Sequence, residues 1–125
     1  MRRELCKSKI HGATITEANL HYEGSVTIDR ELIDAADLVP YERVQVVNIN
    51  NGSRFESYAL PGRAGAGQVC LSGAAARLGA VGDRVIIISY ASYDDSEARE
   101  HEPRVVFVDE GNRIRRKGHG RLEAS

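Results

Sequence analysis

A small, mainly β barrel with short helices, assembled from two related halves, is the fold this sequence predicts, and three observations predict it. Short runs rich in β-branched residues recur along the chain, most of them bounded by Gly, Pro, Asn or Asp. An Asn-Gly pair at residues 51 and 52 separates two of these runs, which is a strong local hairpin signal. The third observation is an internal repeat. "AADLVPYERVQVV" and "AARLGAVGDRVIII" share the order Ala-Ala-x-Leu, acidic turn, Arg-Val and apolar strand, at an offset of about forty residues with one residue inserted. Two such halves closing into a barrel also remove exposed sheet edges.

In chain order the strand runs are "KIHGATIT", "SVTI", "RVQVVNI", "RFESYAL", "QVCL", "RVIIISY" and "RVVFV". Asn51-Gly52 suits a type I′ turn, whose two central residues need positive φ. Arg54 to Leu60 is then the return strand, with Arg54, Glu56 and Tyr58 on one face and Phe55, Ser57 and Ala59 on the other. Two segments read as helical. "DRELIDAADL" offers Asp29 as N-cap with Leu32, Ile33 and Ala36 at helical spacing, and "SGAAARLG" is a short Ala-rich turn ended by Gly79. The barrel is expected over residues 1–110. From 111 to 125 the pattern fades into a stretch rich in Gly and base (Arg113, Arg115, Arg116, Lys117, His119, Arg121), expected to be a flexible tail.

Composition narrows the function classes. A chain of 125 residues is one domain, too short for separate nucleotide and substrate domains. Its net charge of −1 and lack of Trp argue against nucleic acid or an anionic membrane as partner, leaving a small molecule as the expected one. No run approaches the ~20 apolar residues of a membrane span, and the first residues lack an apolar signal region, so a cytoplasmic protein is expected. Cys6 and Cys70 stand far apart without zinc-ligand spacing, so neither metal nor disulfide is expected and both thiols should be buried and inert.

Gly24-Ser25, in "HYEGSVTID", is by itself an ordinary turn pair. Held in a contorted geometry, however, a serine hydroxyl can attack the preceding carbonyl, and glycine at that preceding position adopts such a geometry at low cost. The acyl group then moves from nitrogen to oxygen. β-Elimination of the ester leaves dehydroalanine, which hydrolyses with loss of ammonia to a pyruvoyl ketone.

"KSKIHGATIT", "LHYEGSVTID", "LIDAAD", "NGSRFESYA" and "SGAAARL...VGDRVIIISY" follow one another in the order and spacing of the pyruvoyl-dependent aspartate 1-decarboxylases, and over roughly residues 1 to 110 the chain resembles that family. The resemblance implies a double-psi β-barrel, a homotetramer with active sites between subunits, and self-cleavage into a chain ending at Gly24 and one starting at Ser25. It also implies production of β-alanine from L-aspartate for pantothenate and coenzyme A synthesis. A maturation or regulatory protein is a further partner class that this processing leaves open.

The chemistry agrees with the resemblance. Decarboxylating an amino acid leaves an electron pair on Cα, and a carbonyl cofactor joined to the substrate amine as an imine must accept it. Pyridoxal phosphate is not expected, because this small chain has only Lys7, Lys9 and Lys117 and no recognisable phosphate loop.

By resemblance, Ser25 is the pyruvoyl precursor and Tyr58 the proton donor to Cα, a general-acid step open to a phenol; an amphipathic tyrosine filling a barrel end is the other reading. Ser57 stands where the family more commonly has threonine and keeps the hydroxyl. Arg54 and Lys9 match cations of the site, Arg54 the better fork for a carboxylate, while solvated surface charge remains open for both. Gly73, Ala74 and Ala75 match a substrate-contacting turn whose small side chains expose backbone N–H groups. Ser72 replaces the family's usual Asn, an oxyanion donor in self-cleavage, and Val47 replaces a large aromatic. His11 and Tyr22 also match site-lining residues. An inactive double-psi barrel acting as a binding or regulatory module is the alternative reading.

Overall fold

The computed structural model describes residues 1–21 and 24–119. The strands are β1 (Arg2–Thr14), β2 (Glu17–Asn19), β3 (Ser25–Ile28), β4 (Arg43–Asn48), β5 (Arg54–Pro61), β6 (Val69–Ser72), β7 (Arg84–Asp94), β8 (Arg104–Val108) and β9 (Ile114–His119). Two short helices, α1 (Arg30–Ala35) and α2 (Asp95–Glu100), and a 3-10 turn (Gly73–Arg77) complete the described elements. Hydrogen-bonded neighbours run β2-β6-β3-β5-β4-β7-β1-β8-β9. Because β2 continues β1 after only Ile15 and Thr16, the chain itself joins the two ends of the β2-to-β1 series and closes a double-psi β-barrel, with β8 and β9 extending from β1.

The two halves are visible in the pairing. β3 pairs antiparallel with β6, and β4 pairs antiparallel with β7, so each strand of one half lies beside its counterpart in the other. Arg43 to Val46 and Arg84 to Ile87 occupy the same places in the repeat, and Val46 and Ile87 are register partners. A pseudo-two-fold axis therefore passes between them. Both point into a core that includes Ile10, Val26, Val44 and Leu71, all essentially inaccessible, each contributing roughly 1.5–3 kcal/mol by burial.

α1 starts where expected. The Asp29 carboxylate accepts from Glu31 N (2.8 Å) as a cap and also from Gly65 N (3.1 Å) and Gly67 N (2.7 Å), so one buried side chain ties the helix start to the loop before β6. Leu32, Ile33 and Ala36 are buried as the spacing predicts.

Other details differ from expectation. The β4–β5 connection is a hairpin, but Ile49 to Gly52 form a longer loop in which Gly52 (φ 78°), and not Asn51, is left-handed. Gly52 N donates to Asn48 O (2.9 Å), while the Asn48 side-chain oxygen accepts from Asn50 N and Asn51 N, a local network that favours the looser turn over type I′. Cys6 is only partly buried, whereas Cys70 is buried; desolvation raises both thiol pKa values.

The expected flexible tail from 111 onward is corrected for its first part, since Ile114–His119 form β9, antiparallel to β8. The apolar strand Val105–Val108 needs a partner on its outer edge, and the Arg116 guanidinium lies 4.3 Å over the Phe107 ring. A basic strand with a cation over an aromatic ring has the composition of a solvated tail, which disguises it. Asn112, left-handed at φ 60°, bonds Thr14 and Gly67 and fixes the hairpin to the barrel. Residues 120–125 lie outside the described residues. Three further elements were not anticipated: the N-terminal half of β1, which pairs with the end of β7; β2, which pairs with β6; and α2, opened by an Asp94–Glu97 capping box.

Candidate active site

Ser25 heads β3, where it is 5% exposed, and its register partner is Ser72 at the end of β6, also 5% exposed. The Ser72 side chain makes no capping bond to the 3-10 turn that it precedes; its hydroxyl lies 3.7 Å from the Cys70 sulfur. Among the described residues a Cβ at Gly24 would meet Ser72 O, at 4.0 Å, an ordinary contact. Gly73 is different, because its φ of 67° is left-handed and favours glycine directly.

β5 runs beside two strands in succession. Its first part pairs with β4, ending with Arg43 opposite Tyr58, and its last part pairs with β3, beginning with Val26 opposite Ala59. Tyr58 therefore stands at the fork, next to the strand that Ser25 begins. The fork, the head of β3 and the 3-10 turn enclose a cavity of about 360 Å³ lined by Gly24, Phe55, Glu56, Ser57, Tyr58, Ala74, Ala75 and Leu78, a size that suits a small molecule. Five sequence-predicted positions, Gly24, Ser57, Tyr58, Ala74 and Ala75, thus meet, with Ser25 and Gly73 adjoining them in the chain. Phe55 and Leu78 form an apolar wall that the motif reading missed; Phe55 on the inward side of an alternating strand was the available signal.

The remaining candidates occupy the outer sheet face. In register order, Arg54, Val47, Ile86 and His11 form one row across β5, β4, β7 and β1, and Glu56, Gln45, Ile88 and Lys9 form the next. Lys9, His11 and Arg54 do not line the cavity. Three strand steps place Arg54 and His11 roughly 14 Å apart. Arg54 is exposed and, among the described residues, reaches the Gln45 side chain at 3.4 Å. Burial, with Lys9 and Arg84 adding to it, lowers the His11 pKa and favours the neutral imidazole. Its Nδ1 is buried without a partner among the described residues, and its ring lies 5.5 Å from that of Phe107. Arg84 was not anticipated: its Nε donates to Gly12 O (2.8 Å) at a β-bulge, where a Cβ on Gly12 would meet the guanidinium at 2.9 Å. Tyr22 lies outside the described residues.

Tyr41 was also missed. Its ring lies 6.0 Å from that of Tyr58, inclined by 33°, and nothing in "LVPYERV" distinguishes it from a turn residue.

A pyruvoyl group made from Ser25 fits this surrounding: the serine is buried at a strand head, its neighbours at the turn are glycine and alanine, and a phenol stands in the adjoining cavity.

Comparison with known proteins agrees with the geometry. Residues 1–115 match the family model described as aspartate decarboxylase. A protein of Heliobacterium modesticaldum named aspartate 1-decarboxylase is 60% identical over 114 residues, covering 91% of this chain and 86% of that protein. Proteins of the same name from Desulfitobacterium hafniense (62% over 112 residues; 90% and 88% covered) and Salinibacter ruber (60% over 114 residues; 91% and 78%) are similar to it as well. With its barrel, the buried Ser25 that follows an exposed Gly24, and these relatives taken together, the chain belongs to the aspartate decarboxylase family.

Proposed function

We propose that the chain is a self-processing, pyruvoyl-dependent decarboxylase that converts L-aspartate to β-alanine and CO2 for pantothenate synthesis. The observation that carries this reading is the cavity in which Gly24, Ser57, Tyr58, Ala74 and Ala75 converge beside buried Ser25. Ser25 Oγ attacks the Gly24 carbonyl to begin processing, and Ser72, the register partner of Ser25, donates to the oxyanion in this reading. A ketone derived from Ser25 supplies the electron sink that ordinary side chains lack.

The chain's own residues do the rest. The Arg54 fork and Lys9, brought to the cavity from a neighbouring copy, hold the carboxylate that is retained. Ser57 donates its hydroxyl to the substrate, and the small side chains of Gly73, Ala74 and Ala75 leave room for it. Phe55 and Leu78 keep water from the reacting carbon. As CO2 departs, Tyr58 Oη returns a proton to Cα, giving the methylene of β-alanine.

Lys9 and Arg54 sit on the outer face together with half-buried Val47 and Ile86, which supports a site completed between copies of the chain in a homotetramer. No described helix is long and apolar enough to cross a membrane, and a cytoplasmic enzyme is the proposed setting.

Intact-mass spectrometry tests the reading: two fragments divided at Gly24-Ser25, the larger blocked at its N-terminus, together with β-alanine formed from aspartate in preference to glutamate. One continuous chain that neither reacts with hydrazines nor traps aspartate under borohydride would overturn it and favour a non-catalytic barrel.

A further inference from the structure

Tyr41 holds φ at 72°, a left-handed conformation costly for a bulky aromatic and persistent only where its surroundings impose it. Those surroundings are unusually well tied. Tyr41 N donates to Ala59 O (2.7 Å), and Ala59 N donates to Glu42 O (2.9 Å), joining the loop to β5 at the residue after Tyr58. The Glu42 carboxylate accepts from Lys7 Nζ of β1 (2.8 Å), from the Ser89 hydroxyl of β7 and from Val39 N (3.1 Å). Lys7 Nζ also donates to the carbonyl of Asp37, a second left-handed residue, at φ 55°. One carboxylate thus staples the whole 37–42 loop to two barrel strands.

The strain does not serve Tyr41's own burial, since the residue is 74% exposed. What the conformation achieves is the placement of its ring 6.0 Å from that of Tyr58, tilted by 33°, within the separation at which aromatic rings attract.

We propose that Tyr41 is a positioning residue that walls one face of the Tyr58 ring and holds the phenol in a single orientation toward the substrate's Cα. The inference rests on Tyr58 being the proton donor. A donor must meet Cα along one line as CO2 leaves, and small errors of placement are expensive in rate.

The test uses the full-length, processed enzyme with Tyr41→Gly, which relieves the backbone and removes the wall; Tyr41→Asn, which also tolerates the left-handed region; and Tyr41→Phe, which keeps the ring. With 3-fluorotyrosine incorporated, the 19F resonance lost in Tyr58→Phe identifies Tyr58. The Gly and Asn variants should self-cleave normally, move that resonance to an averaged position and lower kcat about tenfold with KM changed less than about twofold. Tyr41→Phe should restore both signals. If the Gly and Asn variants leave the resonance and kcat as in the parent, or if Tyr41→Phe loses as much as they do, the positioning role is wrong. Should Tyr58→Phe itself retain turnover, the proton-donor assignment fails first and the inference with it; loss of turnover in Tyr58→Phe with unaltered Tyr41 variants sinks the inference alone.

Discussion

Ser25 and Ser72 are register partners across the β3–β6 pair, each almost completely withdrawn from solvent. The position paired with Ser25, whose hydroxyl is the proposed nucleophile, therefore carries a short side chain with no capping bond of its own. Loss of one oxyanion donor costs about 10²–10³ in rate, so Ser72→Ala should slow self-cleavage by about 10²-fold. Ser72→Asn, with a longer donor, should accelerate it. Time-resolved intact-mass spectrometry after synthesis at a fixed temperature checks both, and equal rates in all three proteins would remove Ser72 from processing.

Tyr58 at the β4–β5–β3 fork separates processing from turnover. Ser25→Ala should abolish both, because the attacking hydroxyl is gone. Tyr58→Phe keeps the ring and its packing, so splitting should persist while kcat for β-alanine formation falls by at least about 10²-fold. The paired readouts are fragment masses and product formation; an unprocessed Tyr58→Phe protein would contradict the assignment.

Glu42 links this region to pH. Burial works to raise its pKa, but the bonds from Lys7, Ser89 and Val39 N outweigh that and hold the carboxyl below its ordinary value of 4.5. A folded-state pKa below the unfolded one stabilises the protein above the unfolded value, and that stability is lost as pH falls through the folded pKa. Glu42→Gln should lower Tm by roughly 5 °C at pH 7, with the two curves converging below pH 4.5. A difference that stays constant across this acid range would show that the ion pair is not its source.

Asp29 is 2% exposed and satisfies three backbone N–H groups from two segments. Asp29→Ala leaves those donors without an acceptor and should cost about 3 kcal/mol, read as a lowered urea midpoint at fixed protein concentration. Asp29→Asn, which keeps an acceptor oxygen, should recover part of the loss. Full stability in Asp29→Ala would mean that water replaces the carboxylate.

Much of the barrel was legible because its signals are local. "SVTI" and "RVVFV" coincide with β3 and β8, and the Arg-Val repeat marked the two related halves, although the pairing of Val46 with Ile87 came only from the structure. β9 was not legible, since an edge strand rich in arginine and lysine, with the Arg116 guanidinium lying over a neighbour's Phe107, has the composition of a tail. The Asn51-Gly52 turn was misread because the competing acceptor, the Asn48 side chain, lies outside the dipeptide.

Period-two alternation and caps are written in neighbouring residues, which is why the barrel class and the Asp29 cap could be read directly. Which residues share a cavity depends on strand register and closure, where a shift of one position turns every side chain to the opposite face. That is how Ser57 and Tyr58 came to face Ala74 and Ala75, how Lys9 and Arg54 were sent to the outer surface, and how Tyr41 arrived beside Tyr58.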